Sequence, residues 1–207
     1  MGLNSFSEIN DVHIDVLREI ANIGSGNAAS SLSRMLGVPV NISIPDIGIY
    51  DFNEATRILG GPEAVMVGTL LMLREQMNGM MMFLLPIEVV CDLVNMLMFT
   101  DIKSQDEIDE MGYSVINEVS NIMSASFVTA IADMTGIPID ISPPEAALDM
   151  LGSIMSVPSI YFAKMSDTLL LIQNELEIEG KTAKTSVLML PDMPSLEKLM
   201  SSLGIDV

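Results

Sequence analysis

The chain has 207 residues, of which 49% are hydrophobic and 18% charged, and its formal net charge is −19. This composition is typical of a globular protein, and the acidic excess argues against nucleic acid or an anionic membrane surface as a partner. The uncharged runs 119–132 and 150–163 are shorter than the roughly 18–20 residues that span a bilayer. The N-terminus has no signal-peptide pattern, and a lone cysteine, Cys91, fits a reducing compartment. We therefore expect a cytoplasmic protein that does not insert into membranes.

Periodicity and end signals predict the following elements in chain order. The first half has a helix over 11–36 ending at Gly37, a strand over 38–49, strands over 65–73 and 79–85 joined by a turn, and a helix over 87–98. The second half opens with a capping box at 104–107, which starts a helix that reaches 135, and continues with a strand over 137–142 and a short helix over 145–155. Strands near 168–178 and 184–190 and a closing helix over 195–203 follow.

The chain contains an internal repeat. Sliding the sequence by 99 residues places 11–46 over 110–145, with 11 of 36 positions identical. A weaker match relates 83–86 to 188–191 at a different offset. These matches predict one domain, 1–207, built of two homologous halves at about 11–103 and 104–207. The predicted fold class is α/β (α+β): a pseudo-twofold duplicated domain with an antiparallel-rich sheet, two long helices and shorter helices.

Each long helix carries a polar stripe opposite its apolar face. Asp15, Glu19 and Asn22 are spaced i, i+4 and i+7, which places them within an arc of about 60°. Ser114, Glu118 and Asn121 occupy the same arc in the second half. A proline follows each asparagine at the same spacing, Pro45 in the first half and Pro144 in the second. A single Glu-x-x-Asn is ordinary solvated helix surface, so the signal is its recurrence in both halves.

The residue types around these stripes limit the chemistry. Neither stripe has enough ligands for a metal, and no base stands beside Ser114 to activate it as a nucleophile. The prolines suit a structural role at the end of a strand. A carboxamide can orient an attacking water in phosphoryl-transfer hydrolysis, where catalysis is largely positioning and charge stabilisation. Such a reaction requires a substrate that brings its own metal and phosphoryl group, with the glutamate docking onto a cation of that substrate.

At these residues the sequence resembles the chemotaxis phosphatase family of CheC, CheX and FliY. The family signature, Asp/Ser-x3-Glu-x2-Asn-x22-Pro, occurs twice here, and a duplicated chain fits the CheC type best. The resemblance implies that the chain hydrolyses the aspartyl-phosphate of the response regulator CheY, whose own Mg²⁺ belongs to the substrate. It implies that Asn22 and Asn121 orient the water and that Glu19 and Glu118 pair with a CheY lysine. Asp15 and Ser114 belong to the pattern without an assigned role.

The resemblance also implies a second partner, the deamidase CheD. In the family this contact lies on the short helix of the second half, where we place Asp149 as the candidate contact residue. We expect no cofactor bound by this chain itself, and a monomer. Two alternatives remain open: an adaptor that binds CheD or phosphorylated CheY with little turnover, and a flagellar-switch subunit, which would need a further domain.

Overall fold

The computed structural model describes residues 8–43, 45–162 and 168–205, and its elements follow the same order in each half. The first half contains α1 (Asp11–Leu36), β1 (Val40–Ile42), β2 (Asp46–Asp51), α2 (Phe52–Ile58), β3 (Val65–Glu75), β4 (Gly79–Pro86) and α3 (Ile87–Met98). The second contains α4 (Glu110–Thr135), β5 (Ile139–Ile141), β6 (Glu145–Met150), α5 (Leu151–Phe162), β7 (Thr168–Ile178), β8 (Lys181–Pro191) and α6 (Met193–Ser202). A short 3₁₀ helix, Gln105–Glu107, lies in the connection between the halves.

The two long helices end as the sequence predicts. Both are 26 residues long, and each stops at a glycine in the left-handed conformation, Gly37 at φ 72° and Gly136 at φ 68°. Glycine adopts this conformation without the steric penalty of a side chain, so it ends a helix cheaply.

The predicted capping box at 104–107 is wrong as a start for α4. Ser104 Oγ and the Lys103 N–H both donate to the Glu107 carboxylate, which closes a local turn. The helix begins later, at Glu110, where the Asp109 carboxylate accepts the Gly112 N–H at 2.9 Å. The cap of α4 is therefore Asp109, five residues after the predicted Ser104.

The eight strands form one antiparallel sheet in which the halves exchange their short strands. The central order is β7-β8-β4-β3, with β4 paired to β8 across the middle. Strands β1 and β2 of the first half pair with β7 of the second, and β5 and β6 of the second pair with β3 of the first. The order is the same when the two halves are interchanged, which confirms the predicted pseudo-twofold fold class.

Helices cover both faces of the sheet. The larger core lies under α1, α4, α3 and α6, and the smaller core lies between the opposite face and α2 and α5. Strand β4 is buried over Gly79–Leu85 because it is central and covered on both faces. Among the described residues, α4 is the helix that is long and apolar enough to cross a membrane by length and composition, and over half of that stretch is buried in the fold.

The predicted helix over 145–155 is wrong for its first six residues. Glu145–Met150 form strand β6, which pairs with β3 from Glu145 opposite Leu70 to Met150 opposite Val65. Ala146 and Leu148 are half-buried, while the residues between them are exposed, the alternation of an edge strand. Helix-favouring residues adopt a strand here because pairing with β3 is a tertiary interaction that overrides local propensity.

Candidate functional site

The predicted stripe on α1 is exposed along its length. Asp15, Glu19 and Asn22 face solvent, while Leu17 and Ile20 on the other side are 3% and 4% exposed. Because the apolar face is fixed in the larger core, the orientation of the stripe follows from the packing of the helix. The geometry expected from the 3.6-residue period is therefore present.

The second stripe on α4 has the same arrangement. Ser114, Glu118 and Asn121 are exposed, and Ile116 and Val119 are 3% and 1% exposed on the opposite side. The α1 and α4 helices pack against each other, with Gly24 of α1 against the ring of Phe127 of α4. The two stripes thus lie on neighbouring helices that share one core.

The first position of each stripe bonds within its own helix. Arg18 donates to the Asp15 carboxylate at 2.5 Å in an exposed ion pair, and Ser114 Oγ donates to the Glu110 carbonyl oxygen at 3.0 Å. The Ser114 hydroxyl donates to a backbone carbonyl and not to a side-chain base, so this hydrogen bond does not activate it as a nucleophile.

The glutamate and the asparagine of each stripe have side chains without a partner in the described fold. Across the described residues, the side chains of Glu19, Asn22, Glu118 and Asn121 form no intramolecular hydrogen bond or ion pair. The described residues contain no group of three or more His, Cys, Asp or Glu side chains that could hold a metal ion. Each site therefore offers a partner one carboxylate and one carboxamide whose hydrogen-bonding groups are all available.

A buried hydrogen bond ties each long helix to a strand of the opposite half. Asn174 of β7 donates through Nδ2 to Ser25 Oγ of α1 at 2.6 Å, and the Thr69 hydroxyl of β3 bonds the Ser120 hydroxyl of α4 at 2.8 Å. Ser25 lies three residues after Asn22, and Ser120 lies directly before Asn121. These bonds limit sliding and rotation of the helices beside the exposed amides.

Pro45 and Pro144 stand at the breaks between the paired short strands, Pro45 just before β2 and Pro144 just before β6. At each break a serine side chain completes the ladder: Ser43 Oγ accepts the Glu175 N–H at 2.8 Å, and Ser142 Oγ accepts the Met72 N–H at 3.0 Å. Each proline thus lies between two short strands that pair with the same long strand of the other half, β7 for Pro45 and β3 for Pro144.

Sequence reasoning did not single out these two serines. The signal was present as the Ile-Ser pair two residues before each proline, Ile42-Ser43 and Ile141-Ser142. The predicted continuous strand over 38–49 is accordingly wrong at 38–39, which precede β1, and at Ser43 and Pro45, which lie between β1 and β2; position 44 lies outside the described residues.

Asp149 is exposed but lies on strand β6, so its predicted place on a helix is wrong. Its carboxylate accepts the Met150 N–H at 2.7 Å, directly before α5 begins. Beside it, α5 exposes a run of apolar side chains, with Val157 52%, Ile160 76% and Tyr161 56% exposed. The exposed apolar surface near Asp149 therefore lies on the outer face of α5.

Comparison with known proteins agrees with the repeat. The sequence model of the CheC-like family matches residues 12–49 and 111–147, the helix and short strands of each half. A Bacillus subtilis protein named CheY-P phosphatase CheC is 28% identical over 98% of this chain and 99% of its own length. A Halobacterium salinarum protein named putative CheY-P phosphatase CheC1 is 29% identical over 64% of this chain and 67% of its own.

Solved structures share the fold. The crystal structure of Thermotoga maritima FliY matches with a TM-score of 0.77 at 23% identity, covering 95% of this chain and 98% of that one. The chemotaxis protein CheX from Desulfovibrio desulfuricans matches with a TM-score of 0.55 at 15% identity, covering 84% of this chain and 99% of that one. Two family-matching segments and a relative aligned along nearly the whole chain lead to one conclusion: the chain is similar to the CheC-like family and to proteins named as CheY-P phosphatases.

Proposed function

We propose that this chain is a cytoplasmic phosphatase that hydrolyses the aspartyl-phosphate of the chemotaxis response regulator CheY at two sites. The observation that carries the proposal is the pair of exposed Glu–Asn stripes whose four side chains have no partners within the described fold. An unpaired surface carboxylate and carboxamide, repeated on two core-anchored helices, suit recognition of another protein better than stabilisation of this one.

In this proposal Glu19 and Glu118 each dock the regulator by pairing with a basic side chain. Asn22 and Asn121, about 4.5 Å further along each helix, reach the phosphoryl group and orient the water that attacks phosphorus. The P–O bond to the aspartate breaks, and inorganic phosphate leaves. The substrate supplies its own Mg²⁺, so the chain needs only to hold the water in line for attack on phosphorus.

Loss of ³²P-labelled phosphate from CheY tests this assignment. Asn22→Ala and Asn121→Ala should each remove the activity of one site, and the double variant should lose at least 100-fold of the rate, the usual scale for a water-positioning group. Asn27→Ala is the matched control, because Asn27 is an exposed asparagine of α1 that lies off the stripe. A double variant with full activity would show that the asparagines are not the catalytic groups.

Glu19→Gln and Glu118→Gln separate docking from chemistry. Each change keeps the size of the side chain and removes the charge, so we expect a higher KM with a largely unchanged kcat, and a KM effect that shrinks as salt rises. An equal loss of kcat at saturating CheY would instead assign the glutamate to the chemical step.

An adaptor role with CheD is the second candidate, and the exposed apolar face of α5 favours it. Val157, Ile160 and Tyr161 form a patch on the sheet face opposite the Glu–Asn stripes, so CheD and CheY could bind together. We expect Ile160→Ser to weaken CheD binding in a titration, with Asp149→Lys testing the adjacent acidic position. Clearance of a large excess of phosphorylated CheY by a small amount of the chain would exclude an adaptor without turnover.

A further inference from the structure

Each stripe continues one turn towards the N-terminus of its helix with an exposed apolar residue. Val12 on α1 is 59% exposed and Met111 on α4 is 61% exposed. The two positions are equivalent in the repeat, 99 residues apart, and each is the second residue of its helix. At 100° per residue, each lies within about 20° of the glutamate seven residues later.

Local folding does not account for these two side chains. The residues that usually seal the start of a helix flank the cap on either side: Ile9 and Ile14 for α1, and Ile108 and Tyr113 for α4. All four pack against the larger core. Val12 and Met111 therefore add nothing to the closure of the helix start, and their exposed apolar surface is left for burial against a partner.

Acidic residues lie on either side of both apolar side chains along the helix. Asp11 and Asp15 lie within one turn of Val12, Glu110 lies next to Met111, and Glu19 and Glu118 follow two turns further along; all are exposed. Such a surface is complementary to a partner that presents an apolar side chain bordered by lysine or arginine. An apolar contact inside a charged rim is also the usual anatomy of a protein–protein interface.

We propose that Val12 and Met111 are apolar contacts for the phosphorylated response regulator at the first and second site, respectively. The inference rests on the proposed function and extends its interface along each helix. The apolar residue lies about 10 Å from the glutamate and about 15 Å from the asparagine. The occupant is the regulator itself, because the apolar position is continuous with the Glu–Asn stripe in both halves. The regulator must then carry an apolar patch at that distance from its phosphorylated aspartate.

Near-isosteric polar substitutions test the contact one site at a time. Val12→Thr in an Asn121→Ala background should raise the KM for phosphorylated CheY by about three- to tenfold while kcat changes by less than twofold. Met111→Gln in an Asn22→Ala background should do the same for the second site. The swaps Val12→Met and Met111→Val, which exchange the residues of the two halves, should keep the KM of the unsubstituted site in the same background.

The crossed backgrounds provide internal controls. Val12→Thr combined with Asn22→Ala alters only the inactive site, so the KM of the remaining site should not change. Ile58→Ser on α2 is a surface control, because this apolar residue is 40% exposed on the opposite face of the sheet. Its substitution should leave KM and kcat unchanged.

Affinity for CheY activated with beryllofluoride distinguishes the failure of this inference from that of the proposed function. Weaker binding by Val12→Thr/Met111→Gln supports the contact, even if the wild-type chain binds CheY without hydrolysis and the proposed function fails. Unchanged KM and unchanged affinity in these variants overturn the contact while leaving the phosphatase assignment in place. A wild-type chain that does not bind CheY overturns both.

Discussion

The hydrogen bond between Ser25 and Asn174 has an apolar counterpart in the other half, and the comparison gives a signed prediction. The strand registers place Leu71 of β3 at the position equivalent to Asn174 of β7, and the repeat places Ser124 at the position equivalent to Ser25. Leu71 is fully buried. Ser124 Oγ instead donates to the carbonyl oxygen of Ser120 in its own helix at 2.6 Å.

Removing one partner of the Ser25–Asn174 bond should have the opposite effect from removing the other. Ser25→Ala leaves the Asn174 amide buried without a hydrogen bond, since its Oδ1 already lacks one in the described fold, and should cost about 1–3 kcal/mol. Asn174→Leu removes both polar atoms, adds apolar burial and frees Ser25 to bond its own helix as Ser124 does. We therefore expect Asn174→Leu to be neutral or to stabilise the fold by about 1 kcal/mol.

Urea unfolding followed by far-ultraviolet circular dichroism measures these changes, since the chain has no tryptophan to report by fluorescence. The midpoints are compared at equal m-values, so that a change in free energy of unfolding is separated from a change in the unfolded state. Ser124→Ala is the control, because it removes only a bond within one helix and should cost less than about 1 kcal/mol. A destabilisation by Asn174→Leu as large as that by Ser25→Ala would refute the reasoning.

Two further predictions concern a glycine and the cysteine. Gly79→Ala should destabilise the fold by more than about 2 kcal/mol in urea unfolding, because Gly79 has φ 155° and an added Cβ would clash with the Leu190 carbonyl oxygen. Gly26→Ala, with no atom within 4 Å, should instead stabilise by up to about 1 kcal/mol; equal effects would contradict the steric account. Burial, followed by the charges of Asp92, Glu88 and Glu107, raises the pKa of the Cys91 thiol. Because the folded state holds this proton more tightly than the unfolded state, the thiol's stabilising contribution should be lost as pH rises above the usual thiol range. Iodoacetamide should label Cys91 at least about tenfold more slowly in the folded chain than in urea at pH 8, and similar rates would contradict burial of the thiol.

The sequence predicted the long helices well because their signals are local. A left-handed glycine and a repeated polar stripe each depend on residues within a few turns, and Gly37, Gly136 and the two Glu–Asn pairs lie where the pattern places them. The short helix α2 was missed, although Asp51 caps it by accepting the Glu54 N–H at 2.7 Å. Seven residues are too few for helical periodicity to stand out.

The exchange of strands between the halves could not be read from the sequence. Strand β6 depends on β3, whose residues lie some 80 positions earlier, and β1 depends on β7, whose residues lie more than 120 positions later. Local propensity carries no information on such pairing, so Glu145–Met150 looked helical. The same limit hid the buried Ser25–Asn174 and Thr69–Ser120 bonds, each of which joins elements that only the tertiary fold brings together.

The two long helices match in their exposed stripe residues but differ in the buried hydrogen bonds that join them to the sheet, and this contrast favours a functional interpretation of the stripes. The exposed glutamate, asparagine and N-terminal apolar residue occupy equivalent positions on α1 and α4. The buried bonds beneath them differ: an amide from β7 holds α1, whereas a hydroxyl from β3 holds α4 at a different turn of the helix. Packing alone does not require exposed groups to match between the two helices. A match at these three exposed positions is expected when both helices must present the same groups to the same partner.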